Sequence, residues 1–220
     1  MRIQFLGHAC FLLEDGTHKA LVDPFLTGNP LAAISAGQAE ADMIFVTHGH
    51  ADHVGDTVDI AHRTGAVVCC PVELAGAVFE PAGIPVLAGN LGGWIKVPFG
   101  KVKLTPAIHG SGVPGGLACG FLFEMGGKRI YHAGDTALTC EMSLLAAEQV
   151  DVALLPIGDF YTMGPEDALR AVELIRPALT VPMHFNTMPP IAQDGAVFAA
   201  AAEAAGFPAR VLLPGQSLEL

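Results

Sequence analysis

Short apolar runs, broken by turn residues, set the rhythm of the chain. Ile3–Leu6, Ala9–Leu13 and Ala20–Val22 have strand-like length and pattern, with turn chemistry at Gly7 and Asp15-Gly16. Met43–Thr47 reads as a buried strand running straight into His48, and Asp56–Arg63 as a helix that Gly65 stops. Val67–Cys70 predicts a short strand and Val72–Phe79 a short helix before Pro81. Strands return at Trp94–Val97 and Lys101–Ile108, where Val102, Leu104 and Pro106 fall in one register. Leu117–Glu124 and Arg129–His132 predict a hairpin around Gly126-Gly127. Ser143–Glu148 suits a helix and Val152–Pro156 a buried strand. Pro165–Ile175 carries helix signals throughout: Pro near its start, Glu166 and Asp167 in the first turn, and Leu169, Val172, Leu174 and Ile175 on one side. Leu179–Pro182 ends just before His184, Ala196–Ala205 is an Ala-rich helix stopped by Gly206, and Val211–Leu213 and Leu218–Leu220 close the chain. Two strand-rich halves with helices outside predict a layered α/β sandwich, without any internal repeat.

Composition narrows the picture. Of 220 residues, 51% are hydrophobic and 15% charged, the reverse of a disordered chain. No linker or low-complexity segment divides the sequence, so residues 1–220 are expected to form one domain. No apolar run approaches the ~20 residues of a membrane span, and the amino terminus has no signal-peptide pattern, which predicts a cytoplasmic protein. The net charge of −11, with no basic run, opposes nucleic acid or an anionic membrane as partner and favours a small molecule. Self-association is left open. Five cysteines (Cys10, Cys69, Cys70, Cys119, Cys140) show no C-x-x-C spacing and read as buried, reduced thiols.

Candidate chemistry concentrates in Thr47-His48-Gly49-His50-Ala51-Asp52-His53. Three imidazoles and a carboxylate within six residues, between a strand and a helix, can be aimed at two neighbouring metal ions. Helix capping by Asp52 with solvated histidines is the bland alternative, and it does not require this density. Two sites need further ligands. His109, Asp135 and His184 each follow a predicted strand, where a rigid scaffold places functional groups.

With these residues, the chain resembles the metallo-β-lactamase superfamily. More narrowly it is similar to small prokaryotic metal-dependent hydrolases related to the ascorbate-6-phosphate lactonases. The resemblance is carried by H-x-H-x-D-H at positions 48–53, Leu6–Phe11, Val22–Pro30, Tyr131–Thr136 and Thr162–Ala168. It implies an αβ/βα four-layer sandwich with a dinuclear centre at one edge of its sheets. By motif, His48, His50 and His109 would bind one metal, Asp52, His53 and His184 the other, and Asp135 would bridge. Two divalent transition-metal ions are expected, zinc first, with manganese, iron or nickel as alternatives. A hydroxide bound between them would attack a small ester-like substrate, a lactone or a phosphorylated metabolite. Asp52 is expected to orient the nucleophile or pass on its proton, and Asp23 to brace the metal-binding loop. His8 is expected to contact substrate or shuttle protons. His132 reads as structural, and His18 and His62 as solvated. Asp159 and Tyr161 are candidates to line the pocket, and the helix start at Thr162-Met163-Gly164 is open to an anionic group. A phosphodiesterase with the same centre is the alternative enzyme, and a metal-dependent sensor or scaffold the non-enzymatic one.

Overall fold

The apolar runs become strands of two sheets in the computed structural model, which describes residues 1–220. β1 (Arg2–Gly7), β2 (Cys10–Glu14), β3 (Lys19–Val22), β4 (Met43–Phe45), β5 (Val67–Pro71) and β6 (Val86–Gly89) lie side by side in chain order. β7 (Trp94–Val97), β8 (Gly100–Pro106), β9 (Cys119–Met125), β10 (Lys128–His132), β11 (Val152–Pro156) and β12 (Leu179–Met183) form the second sheet in the same manner. The last strand, β13 (Ser217–Glu219), crosses back to pair with β1. Inner faces meet through one cluster of 39 buried residues. At its centre Phe45 of the first sheet stands nearly perpendicular to Phe121 and Phe123 of the second, with ring centroids 5.4 and 4.9 Å away.

Helices cover the outer faces. α1 (Ala51–Val54) is a single turn after the His-rich loop, and α2 (Thr57–Thr64) lays Ile60 and Ala61 against the first sheet. α3 (Val72–Leu74) continues into a wide turn over Ala75–Phe79 on the same side. On the second sheet α4 (Pro165–Ile175) buries Ala168, Ala171, Val172 and Ile175, and α5 (Gly195–Ala204) buries Phe198 and Ala202. All five residues of β11 are buried, as a strand covered on both faces requires. The architecture is the expected αβ/βα sandwich.

Strand direction positions the site. β1 and β3 both run antiparallel to β2, hence parallel to each other and to β4. β8 and β10 both oppose β9, and β10, β11 and β12 are parallel. His8, Asp23 and His48 therefore leave the carboxyl ends of β1, β3 and β4 at one end of their sheet. His109, Asp135 and His184 do the same after β8, β10 and β12.

Several elements differ from expectation. Ser143–Glu148 belongs to a longer 3-10 segment, Cys140–Glu148, with Thr139 capping its start through Glu141 N. β6 is an edge strand of four partly exposed residues, too weakly patterned to stand out in the sequence. Val211–Leu213 forms no strand; the bridge to β12 is made by Ala209 to Thr180. β8 ends at Pro106, which is exposed while Val102 and Leu104 point inward, and Leu117 lies outside the hairpin at 57% exposure. Four cysteines are buried as expected; Cys140 is exposed.

Candidate metal centre

The His-rich loop is held from beneath by Asp23. Its carboxylate accepts from Thr47 N (2.9 Å), from Thr47 Oγ1 (2.8 Å) and from His53 Nδ1 (2.7 Å), and it is fully buried. These bonds fix tautomers. Thr47 Oγ1 spends its proton on Asp23, so it accepts from His48 Nδ1–H (3.0 Å) and leaves His48 Nε2 a bare lone pair. His53 donates through Nδ1, leaving its Nε2 bare as well. Gly49 serves by close approach rather than by an unusual dihedral. Its N–H donates to Ser111 O at 2.7 Å, and a Cβ there would stand 3.0 Å from that oxygen and from Val113. The capping alternative fails, because His50 takes the cap position of α1 and the Asp52 side chain makes no bond to a helix N–H.

Candidate ligand atoms fall into three overlapping groups, each within 4.8 Å: His48, His50 and His109; His8, Asp52, His53 and His184; and His48, His53 and Asp135. In the first, His48 Nε2 and His109 Nε2 lie 3.0 and 3.2 Å from His50 Nδ1. Asp135 lies between the sets, its oxygens 3.3 Å from His53 Nε2, 3.6 Å from His109 Nε2 and 3.1 Å from His184 Nε2. His53 Nε2, Asp135 Oδ1 and both ring nitrogens of His184 are buried with no hydrogen-bond partner. Bare imidazole nitrogens facing a carboxylate at the centre of a fold are costly unless a cation lies between them. The donor set, imidazole with carboxylate, is the one divalent transition metals take.

Electrostatics agree. Burial opposes charge on His53, but the Asp135 and Asp23 carboxylates outweigh it and raise its pKa well above the usual value. Burial also opposes ionisation of Asp135, yet His53 and His184 hold its carboxyl well below the carboxylate range. The paired carboxylates thus favour positive charge at the point where these side chains converge. Burial, then His53, holds His48 down to about 2, so the ring stays neutral.

His8 joins the second group but stands apart in chemistry. The Asp52 carboxylate only accepts, so His8 donates Nε2–H to Asp52 Oδ2 (3.2 Å), and its Nδ1 accepts from Thr187 Oγ1 (2.6 Å). Burial lowers its pKa to about 4, keeping the ring neutral with both nitrogens engaged. At 1% exposure it is buried against Asp52 and is not among the residues that line the cleft. Thr187, which orients it, carried no signal in the sequence. Burial favours neutral Asp52, but the bond from His8 and nearby His53 hold its carboxyl below the usual range. Three groups here have left-handed backbones, at φ +60° for His8, +44° for Asp23 and +55° for His184, a conformation that non-glycine residues adopt at a cost.

His132 spends both nitrogens on the backbone, donating to Ala9 O (2.9 Å) and accepting from Gly134 N (3.1 Å), and so shapes the bend before Asp135. His62 is exposed; His18 is half-buried, bonded to Asp15 at 3.1 Å. A cleft of about 400 Å³ opens over the centre, lined by Phe25, Met188 and Tyr161 beside His50, Ala51, Asp52, His109, Asp135 and His184. Asp159 lies instead in a neighbouring groove with Gly164, Glu166 and Asp167, whose carboxylates make the start of α4 unsuited to an anion.

Two sheets joined face to face, with clustered His and Asp side chains at their carboxyl ends, define a metal-binding sandwich of the metallo-β-lactamase type. A family model described as "Beta-lactamase superfamily domain" matches residues 2–184. The chain belongs to that superfamily, among its metal-dependent hydrolases. A UPF0173 metal-dependent hydrolase of Thermus thermophilus is 48% identical over 224 residues, covering 100% of this chain and 99% of the relative. Another from Symbiobacterium thermophilum is 50% identical over 225 residues, with both chains fully covered. Among solved structures, Igni18, described as a novel metallo hydrolase from the archaeon Ignicoccus hospitalis, superposes with a TM-score of 0.93. It is 37% identical, with 100% of this chain and 98% of that one covered.

Proposed function

We propose that residues 1–220 form one cytoplasmic hydrolase domain that cleaves a small ester-like molecule with two divalent transition-metal ions, zinc first. The observation that carries this reading is the convergence of unpartnered buried atoms on His53, Asp135 and His184. His48, His50 and His109 would hold one ion, Asp52, His53 and His184 the other, with Asp135 between them. Bound there, such ions lower the pKa of water and polarise a carbonyl oxygen.

The chain's own groups do the rest. Asp52, its side chain 26% exposed at the floor of the cleft, accepts the proton of the attacking water. The water oxygen bonds to the acyl carbon, the acyl C–O bond breaks, and the proton passes from Asp52 to the leaving alkoxide. His8, held by Thr187, keeps the receiving oxygen of Asp52 aimed. Tyr161, Phe25 and Met188 close the wall of the cleft. No helix is long and apolar enough to cross a membrane, and the reading takes a small molecule as partner.

The test is turnover by metal-loaded protein over a panel of lactones, esters, thioesters, amides and phosphodiesters. Ester or lactone cleavage that a chelator abolishes and added metal restores is expected. No turnover of any ester or lactone at two bound metals per chain overturns the reading; a phosphodiester preferred over all acyl compounds replaces it.

A further inference from the structure

Positive charge and the metal centre occupy opposite ends of the sandwich. Arg2, Lys19, Lys101 and Lys128 lie at the amino ends of β1, β3, β8 and β10, whose carboxyl ends lead to His8, Asp23, His109 and Asp135. At ~3.3 Å per residue these strands keep the cations on the order of 10–20 Å from the centre. Several are engaged where they stand: Arg2 with Glu14 (2.9 Å), Lys101 with Glu124 (3.2 Å), Lys128 with Asp151 (3.2 Å). No Lys or Arg lines the cleft.

What borders the cleft beyond the candidate ligands is apolar or aromatic. Phe25 and Met188 form wall, and Tyr161, half exposed, stands edge-on to Phe160, with ring centroids 4.7 Å apart. Phe160 is 73% exposed and packs into no core. Both rings are presented by a strained backbone. Asp159 and Phe160 take φ of +60° and +44° in succession, a costly arrangement held by Asp159 N to Met163 O and Thr162 N to Asp159 O, each 3.0 Å. An exposed aromatic pair, held in strain beside a cleft without cations, suits an apolar ligand group.

We propose that the site selects an uncharged substrate carrying an apolar substituent, which lies on Phe160, Tyr161, Phe25 and Met188 while its hydrolysable bond faces the His/Asp cluster. The inference rests on the hydrolase reading and deepens it. An anionic group remote from the reacting bond would find no counter-charge at the mouth and would face a chain of net charge −11. This favours neutral esters and lactones over phosphorylated metabolites.

Matched substrates test it: 4-nitrophenyl acetate, butyrate and hemisuccinate, the last two having acyl chains of similar length that differ by a carboxylate. The metal-loaded protein should show kcat/KM about tenfold or more higher for butyrate than for either other ester. In a Phe160→Ala/Tyr161→Ala variant the gap between butyrate and acetate should shrink to about twofold, through KM. Metal content and melting midpoint are measured alongside, and both rings are exposed enough to be removed without unfolding. Hemisuccinate equal to butyrate, or a variant that keeps the full gap between butyrate and acetate, overturns the proposal. If no ester is cleaved at full metal occupancy, the hydrolase reading fails, and ligand-observed NMR still decides this one. Butyranilide should bind the metal-loaded protein more tightly than N-phenylsuccinamic acid, and the variant should bind butyranilide more weakly; equal or tighter binding of the acid overturns it.

Discussion

The two sheets furnish the centre in different ways. The first supplies four of the seven candidate ligands from one short loop, His48 to His53, and fastens that loop from several sides. Asp23 takes three hydrogen bonds beneath it, and the Gly49 backbone abuts Ser111. The second sheet supplies His109, Asp135 and His184 singly, from three strand ends. Thr136 ties two of these ends together, accepting from Ile108 N at 3.0 Å and donating to Ala137 O at 2.7 Å. The backbone of His184 is bonded to His8 O at 2.8 Å, but neither nitrogen of its ring has a partner. The loop of the first half is braced by the protein; the second half leaves buried polar atoms of Asp135 and His184 without partners.

The largest expected effect breaks the contact between the halves. Asp135→Ala removes the one group that reaches both ligand sets, so hydrolysis should fall to background and bound metal well below two ions per chain. A variant that keeps two ions and measurable turnover would show that the halves assemble without it. Next is Asp52→Asn, which keeps size and one oxygen but cannot accept a proton. At confirmed full occupancy kcat should drop by ~10² or more; near-normal kcat would leave Asp52 as a ligand alone. On the braced side, Asp23→Ala removes no candidate ligand, yet chelator competition should show metal affinity weakened by roughly 10- to 100-fold. Unchanged affinity would mean that the bracing of the first sheet is incidental. Gly49→Ala should destabilise the protein by about 1–3 kcal/mol in urea unfolding through its contacts with Ser111 and Val113, and an unchanged midpoint would deny the tight approach. At the small end, His62→Ala removes a surface bond to Ala82 O and should change stability by less than about 0.5 kcal/mol, with unaltered turnover.

The same contrast explains what could be read from the sequence. The loop of the first sheet is dense in one stretch, so its chemistry is visible without a fold. Phe45, Phe121 and Phe123 sit in apolar runs, so the strands that build the core were visible too. His109, Asp135 and His184 are isolated in sequence; each follows a predicted strand, the family resemblance divides them between two ligand sets, and strand direction is the physical reason they gather. Tyr161 is legible as a pocket candidate after the strand at Val152–Pro156, but Thr187 and Phe160 give no such signal. Their roles depend on tautomer, exposure and a left-handed backbone, none of which has a residue pattern. β6 and the 3-10 form of Cys140–Glu148 are not legible in the sequence because short, half-exposed elements are decided by their neighbours rather than by local propensity.

Metal stoichiometry tests the central claim most directly. Protein loaded to saturation and freed of loose metal should hold two transition-metal ions per chain by elemental analysis. His184→Ala should hold one, because its first set, His48, His50 and His109, is intact. A single ion in the saturated native protein, with His53 and His184 unligated in its experimental structure, would contradict the two-ion account.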